Sequence, residues 1–166
     1  MAVARQSQLG SVFMRLSSPA FSDGGPIPRR YSAPGENELP PFRIHDVSEN
    51  AQSLVLVLKD VDSPLGEVTH WHAWNIPPQT ASLDAVHLPA ECCVGIDSFG
   101  KVGYLGPAPP EGRHHYRMIL LALDTWLDLP TGATRRALDR AVKGHVIDRA
   151  EMMGFMEASA SDGDTT

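Results

Sequence analysis

Long apolar runs are absent from this chain, and the longest one extends only over residues 118–123. A helix that crosses a membrane needs roughly 18 apolar residues or more, so the sequence predicts no transmembrane helix. Residues 1–16 include two arginines but no continuous apolar stretch, which argues against a secretory signal peptide. The 166 residues are enough for one domain with its own hydrophobic core.

Positive charge is also scarce. Fourteen Lys and Arg residues stand against twenty Asp and Glu residues, which gives a formal net charge of −6, and no basic run is present. Nucleic acids and anionic membrane surfaces are bound by clustered Lys and Arg side chains. We therefore expect no nucleic-acid partner and no integral membrane association.

Cysteine is nearly absent, and the two that occur, Cys92 and Cys93, are neighbours. Their Cα atoms are about 3.8 Å apart, which is below the roughly 4.4 Å that an unstrained disulfide needs. We predict two free thiols, which fits the reducing conditions of the cytoplasm, and we expect the protein there. Two cysteines alone are too few for a Cys-rich zinc site, and we expect neither a metal ion nor a cofactor.

Three segments combine Val, Leu, Ile, Trp and Tyr in the short runs typical of β-strands. They span residues 53–61, 69–76 and 115–124. The third segment is apolar at both odd and even positions, so we expect it to be buried on both faces. Fourteen prolines and fourteen glycines are scattered along the chain, with dense groups at residues 24–41 and 95–112, where we expect long ordered loops.

Helical spacing occurs only near the C-terminus. Leu138, Val142 and Val146 recur every four residues, Thr134 is a candidate N-cap and Gly144 favours an end to the helix. A second short helix is predicted over residues 146–155, where apolar residues recur in steps of three. We expect both helices to cover a β-sheet.

One domain is expected over residues 16–156. A partly ordered N-terminal segment, residues 1–15, precedes it. The small, polar residues near the C-terminus predict a flexible tail over residues 157–166.

A row of apolar residues in the first predicted strand ends in two carboxylates. Alternation along a strand places Leu54, Leu56, Leu58, Asp60 and Asp62 on one face if the segment stays extended. A buried carboxylate without partners is costly, so these two either reach the surface or face a polar pocket. The alternative interpretation is that residues 59–66 form an ordinary polar turn.

Histidines occur in or beside the two other predicted strands. The same alternation places His70, His72 and Trp74 on one face of the second strand, and His114 and Tyr116 on one face at the start of the third. The loop over residues 103–112 is rich in proline and glycine and leads directly to these last two residues. Such a rigid loop is typical of a ligand-site wall, although it also fits a stiff connection with no further role.

Three motifs occur in order along the chain. An Asp-x-Asp-x-Pro segment is formed by Asp60, Asp62 and Pro64. A His followed by an aromatic residue and an Asn-Ile-Pro ending is formed by His70, Trp71 and residues 75–77. A Gly-Pro-x-Pro-Pro-x-Gly loop followed by His-x-Tyr is formed by residues 106–112, His114 and Tyr116. Together these motifs resemble the phosphatidylethanolamine-binding protein family, also called the Raf kinase inhibitor protein family, and specifically its bacterial branch.

The resemblance implies a mainly β fold: a two-sheet β-sandwich of the Greek-key type with short peripheral C-terminal helices. It also implies a small anion-binding pocket near the surface. The residues expected to line it are Asp60, His70, Pro109, Pro110, His114 and Tyr116, with Asp62, Pro64, Trp71 and Gly106 in support. Bacterial relatives suggest a homodimer, and the family's link to kinase regulation makes a protein kinase or another protein a further candidate partner.

Three functions are consistent with these residues. The first is non-catalytic binding of a phosphorylated small molecule, a lipid headgroup or a phosphorylated protein residue, because protonated imidazoles and a tyrosine hydroxyl donate hydrogen bonds to an anion. The second is an enzyme in which Asp60, His70 and His114 act as acid, base and orienting group or hold a metal ion. The third is an interaction scaffold with a vestigial pocket. No H-E-x-x-H, G-x-S-x-G or complete G-x-x-x-x-G-K-[ST] motif supports catalysis independently, and we expect no enzyme.

Overall fold

The structure is a computed structural model that describes residues 13–159 as two β-sheets and a single α-helix. The strands are β1 (Arg15–Ser17), β2 (Gly25–Pro26), β3 (Phe42–His45), β4 (Ser53–Asp60), β5 (Val68–Ile76), β6 (Ser82–Leu83), β7 (Cys93–Val94), β8 (Arg113–Leu123) and β9 (Val146–Glu157). The helix, α1 (Arg135–Val142), lies between β8 and β9 in the chain. The small sheet has the order β1-β3-β6, and the large sheet has the order β2-β9-β8-β4-β5-β7.

Strand β4 is buried on both faces because its alternate side chains belong to two separate clusters. Leu54, Leu56 and Leu58 pack in the main core, which also contains side chains of the small sheet. Val55 and Val57 belong to a second cluster that includes Leu138 of α1. The helix therefore covers the outer face of the large sheet. The predicted mainly β fold with two sheets is confirmed, with one peripheral α-helix in the described residues where two were predicted.

The three predicted strands are confirmed as β4, β5 and β8, which differ from the predicted ends by no more than two residues. The first predicted helix is also confirmed. It begins after Thr134, whose side-chain oxygen accepts a hydrogen bond from the backbone N–H of Ala137 at 3.1 Å. Gly144 follows the helix with a positive φ of 83°, a conformation that suits glycine and ends the helical path.

The second predicted helix is wrong, because residues 146–155 belong to strand β9. This strand pairs with β8 in antiparallel register from Leu123 opposite Val146 to Arg113 opposite Glu157. Its most buried residues, Ala150, Met152 and Gly154, alternate with more exposed ones, as the period of a strand requires. A helix here would leave one edge of β8 without backbone partners along its length, and this cost outweighs the weak three-residue spacing.

Several other expectations concern the rest of the chain. Cys92 and Cys93 are free, as predicted, and burial raises the pKa of the Cys92 thiol to about 12. No helix within residues 13–159 is long and apolar enough to cross a membrane. Most of the expected N-terminal segment and most of the expected flexible tail lie outside the described residues.

Candidate functional site

A cavity of about 240 Å³ lies at one end of the inner strands of the large sheet, where β4 ends and β5 and β8 begin. All six side chains expected to line an anion pocket line this cavity, namely Asp60, His70, Pro109, Pro110, His114 and Tyr116. Pro64 and Gly106, expected in support, line it as well. Leu105 and Ala108, from the loop predicted to form a ligand-site wall, also line it, and sequence reasoning missed the remaining lining residues, Ala33, Ser63, Leu65, Val68 and Phe99.

Asp60 holds His114 in place at the inner end of the cavity. One carboxylate oxygen of Asp60 lies 2.6 Å from Nδ1 of His114, and the other accepts a hydrogen bond from the backbone N–H of Asp62 at 2.8 Å. Both side chains are almost completely buried. Because an ionised carboxylate only accepts hydrogen bonds, Nδ1 of His114 donates, and Nε2 is the ring nitrogen left free.

His70 is oriented in the same way by a backbone carbonyl. Its Nδ1 lies 2.6 Å from the carbonyl oxygen of Leu105, and this oxygen is only an acceptor, so Nδ1 carries the proton. Burial lowers the pKa of His70 below its ordinary value of 6.5. At neutral pH the ring is therefore uncharged, and its Nε2 is a hydrogen-bond acceptor.

Tyr116 contributes a fully buried hydroxyl group that has no hydrogen-bond partner among the described residues. The residue lies opposite Asp60 in the β4–β8 register, and its ring meets His70 edge-on with the ring centroids 5.5 Å apart. Burial raises the pKa of Tyr116, so its hydroxyl keeps its proton and remains a donor. A buried hydroxyl without a partner indicates a water molecule or ligand group that completes the site.

A bulge in β5 decides which histidine reaches the cavity. Leu58 pairs with Trp71, whereas the next residue, Lys59, pairs with Thr69, so His70 is the extra residue in β5. The bulge lets His70 turn toward Tyr116 while Trp71 keeps its place in the main core. Trp71 supports the strand beneath the cavity but does not line it.

The prediction that His70 and His72 share a face is therefore wrong, because regular alternation fails at the bulge. His72 lies with Trp74 on the opposite face of the sheet, with the two ring centroids 5.7 Å apart. Its Nε2 hydrogen bonds to the carbonyl oxygen of Ile96 at 2.8 Å. His72 is completely buried on the face of the sheet that carries the second cluster, and it does not line the cavity.

Asp60 and Asp62 do not share a face, although the sequence predicts that they do if the strand stays extended. Asp60 lines the cavity and Asp62 does not. Strand β4 ends at Asp60, and beyond it the carboxylate of Asp62 accepts hydrogen bonds from both the backbone N–H and Nδ1 of His115. His115 alternates with His114 along β8 and faces away from the cavity. These hydrogen bonds lower the pKa of Asp62, which serves to fasten the end of β4 to β8.

The loop over residues 103–112 forms one wall of the cavity. Its Gly106 donates a backbone hydrogen bond to the side chain of Asn37 at 2.7 Å and packs directly against the backbone of Tyr31. A side chain at Gly106 would place its Cβ 2.2 Å from the Tyr31 carbonyl oxygen, so this close approach requires glycine. Pro109 and Pro110, here called the proline wall, follow in the same loop and line the cavity.

Charge in the cavity depends on its histidines. Among the described residues that line it, none is lysine or arginine, and Asp60 is the single carboxylate. Protonation of an imidazole is thus the way in which this lining gains positive charge near neutral pH. Within residues 13–159, no group of three or more His, Cys, Asp and Glu side chains is arranged to hold a metal ion.

Known proteins match this chain in sequence and in fold. A UPF0098 protein of Pyrococcus abyssi is 42% identical over 156 residues, covering 89% of this chain and 87% of the relative. A phosphatidylethanolamine-binding protein homologue of Chlamydia trachomatis, known from a crystal structure, is 37% identical with a TM-score of 0.84, covering 89% of this chain and 99% of that one. Escherichia coli YbcL shares the fold with a TM-score of 0.82 at 23% identity, covering 88% and 99% of the two chains.

The family's own sequence profile covers the same region. The profile described as phosphatidylethanolamine-binding protein matches residues 17–157, which include both sheets' main strands, the proline wall and every residue of the Asp60, His70, His114 and Tyr116 cluster. The resemblance seen in the three motifs thus extends to nearly the whole described chain, and this protein belongs to the phosphatidylethanolamine-binding protein family.

Proposed function

We propose that this protein binds the phosphate group of a phosphorylated small molecule, lipid headgroup or protein residue in the cavity, without chemical turnover. One observation carries the proposal. Three side chains line the same small cavity, and each carries a group able to bind an anion that has no partner among the described residues: Nε2 in His70, Nε2 in His114 and the hydroxyl in Tyr116. Sites of this kind bind anions by supplying several hydrogen-bond donors at once.

Proton uptake is part of the proposed binding step. Neutral His70 presents an acceptor at Nε2, so this ring binds a fully ionised phosphate only after it has gained a proton. A phosphomonoester has a second pKa of about 6, so the proton between Nε2 of His70 and the phosphate can also be supplied by the phosphomonoester itself. Because burial lowers the pKa of His70 in the free protein, anion affinity should increase as the pH falls through and below 6.5.

Asp60 has a positioning role in this proposal. A carboxylate repels phosphate, but both of its oxygens are already used by the backbone N–H of Asp62 and by Nδ1 of His114. It thereby fixes the orientation of His114 and leaves Nε2 of that ring as the nitrogen available to an anion. The proline wall supplies an apolar surface for the organic part of the ligand.

Titration calorimetry with sulfate tests the anion site directly, because sulfate keeps the same charge between pH 8 and pH 6. We expect sulfate affinity to rise over this range, with proton uptake visible as a dependence of the binding heat on the buffer. His70→Ala and His114→Ala should lose the binding. His87→Ala, which alters an exposed histidine bound to Asp84, is the matched control.

Inorganic phosphate and O-phosphorylethanolamine, titrated with the same four proteins, show whether the site accepts phosphate and its esters. Affinity that is independent of pH, or unchanged in both cavity variants, would contradict the proposal. Absence of binding in the wild-type protein would favour an interaction scaffold with a vestigial pocket. Release of phosphate from an incubated phosphomonoester would favour an enzyme that uses Asp60, His70 and His114.

We propose the remaining cellular features on family grounds. The protein is expected to act in the cytoplasm as a homodimer, and a protein kinase is a candidate partner regulated through contact with it. The two free thiols agree with a reducing compartment.

A further inference from the structure

A second and larger cavity, of about 660 Å³, lies on the other side of the proline wall. We call it the arginine groove. It shares Ala108, Pro109 and Pro110 with the histidine cavity as lining residues, so the two spaces are separated by one short piece of loop. The proposed phosphate site makes no use of this groove.

Two arginines line the groove, whereas no described lysine or arginine lines the histidine cavity. Arg113 lies over the ring of Phe155, with its guanidinium carbon 4.0 Å from the ring centroid, and its Nε donates to Glu157 at 3.1 Å. Arg29 makes one side-chain hydrogen bond within residues 13–159, to Ser159 at 3.5 Å. Glu157 is the single carboxylate among the described lining residues, so the groove carries a net positive charge in a protein of net charge −6.

The surface between the two charged regions is apolar. Pro109 and Pro110 line both spaces, and Ile27, Phe155 and Met156 also line the groove. The groove therefore offers a ligand hydrocarbon and aromatic surface as well as guanidinium groups. Guanidinium groups bind carboxylates with paired, charge-assisted hydrogen bonds.

We propose that the physiological ligand is a small organic phosphate with a second acidic group, whose phosphate occupies the histidine cavity and whose far end binds Arg29 and Arg113. An apolar linker of the ligand passes over the proline wall. This inference rests on the proposed function, because it takes the phosphate site as the anchor. It also implies that an ammonium group at the far end, as in a phosphoethanolamine ester with an extended linker, is disfavoured by the groove.

The experiment uses three series of monoalkyl phosphates of increasing chain length, which end in a carboxylate, a methyl group or an ammonium group. Each is titrated calorimetrically into the full-length protein, with inorganic phosphate as the reference. Once the chain is long enough to cross the proline wall, we expect the carboxylate compounds to bind about tenfold more tightly than the methyl compounds of equal length. The ammonium compounds should bind more weakly than both.

Variants assign the effect to the groove. Arg29→Gln and Arg113→Gln should each remove most of the carboxylate advantage while inorganic phosphate binds as in the wild type. Glu157→Gln should increase the carboxylate advantage, because it frees Arg113 from its present partner. Arg140→Gln, on α1 and away from both cavities, changes the net charge equally and should have no effect.

The outcomes separate this inference from the proposed function. If inorganic phosphate fails to bind the wild-type protein, the phosphate site itself is wrong. If inorganic phosphate binds, two results are decisive: the carboxylate compounds bind no more tightly than the methyl compounds at any chain length, or their tighter binding survives in both arginine variants. Either result overturns the proposal of a second acidic group and leaves the phosphate site in place.

Discussion

At the scale of residues, the hydroxyl of Tyr116 is expected to contribute to phosphate binding but not to the stability of the fold. Among the described residues this buried group has no hydrogen-bond partner, so no hydrogen bond to them is lost when it is removed. Tyr104 makes the contrasting case, because its buried hydroxyl donates to the carbonyl oxygen of Tyr31.

Tyr116→Phe is therefore expected to weaken phosphate binding about tenfold while the free energy of unfolding stays equal or increases. Tyr104→Phe, the matched control, should lower the free energy of unfolding by about 1 kcal/mol and retain phosphate binding. Calorimetry and urea denaturation measure the two quantities. Equal losses of stability in both variants would show that the Tyr116 hydroxyl already has a partner in solution.

Two buried histidines predict how stability depends on pH. Burial lowers the pKa of both His70 and His72 in the folded protein, so between that lowered pKa and 6.5 the unfolded chain binds more protons than the folded one. Stability should therefore decrease as the pH falls below 6.5, by at most about 1.4 kcal/mol per pH unit for each histidine. At higher pH their contribution is constant.

Urea denaturation in phosphate-free buffers at several pH values between 7.5 and 5 measures this slope. His70→Gln and His72→Gln should each make the slope shallower, whatever their effect on absolute stability. A slope that is the same in the wild-type protein and in both variants would contradict the assignment.

At the scale of elements, the loop over residues 103–112 depends on one close backbone contact. A Cβ on Gly106 would lie 2.2 Å from the carbonyl oxygen of Tyr31, whereas a Cβ on Gly112 would meet nothing within 4 Å. Gly112 instead has a positive φ of 68°, which a residue with a side chain adopts at a cost of about 1 kcal/mol.

Gly106→Ala should accordingly displace the loop, lower the free energy of unfolding by about 2 kcal/mol and weaken phosphate binding by more than about tenfold. Gly112→Ala should cost about 1 kcal/mol of stability and keep the affinity. Denaturation and calorimetry of the two variants check this difference. Retention of full affinity in Gly106→Ala would mean that the proline wall is positioned by other contacts.

The elements also show which parts of the structure follow from sequence alone. Strands β4, β5 and β8 are predictable because their apolar residues alternate or fill both faces, and Thr134 marks the start of α1 through its side chain. Strand β9 is not predictable in this way, because the exposed apolar residues Val146 and Ile147 obscure the alternation of buried and exposed positions. Its conformation is decided by backbone pairing with β8. Long-range pairing of this kind leaves no local pattern.

The candidate site was predictable to a similar degree and for similar reasons. Motif residues located the cavity, and strand alternation correctly placed His114 with Tyr116. Alternation wrongly grouped His70 with His72 and Trp74, because the bulge at His70 is visible only in the register between β4 and β5. Phe99 lines the cavity through loop folding, and the spacing of its neighbours gives no sign of it.

At the scale of the whole molecule, the family assignment leads to an expectation about assembly. We expect a homodimer, with a mass twice the 18.0 kDa of the chain, in light scattering at micromolar concentration. The same measurement with and without saturating phosphate shows whether the ligand alters assembly. The mass of a single chain under both conditions would rule out the homodimer.

The proline wall has a thermodynamic consequence for the molecule. Pro109 and Pro110 bound both the histidine cavity and the arginine groove, so a shift of these two residues on filling one space changes the shape of the other. Coupling between two binding sites is reciprocal: if an anion in the cavity alters the groove's affinity for a carboxylate, the carboxylate alters anion affinity by the same factor. A single stiff loop thus gives this small protein the means for heterotropic cooperativity without a second domain.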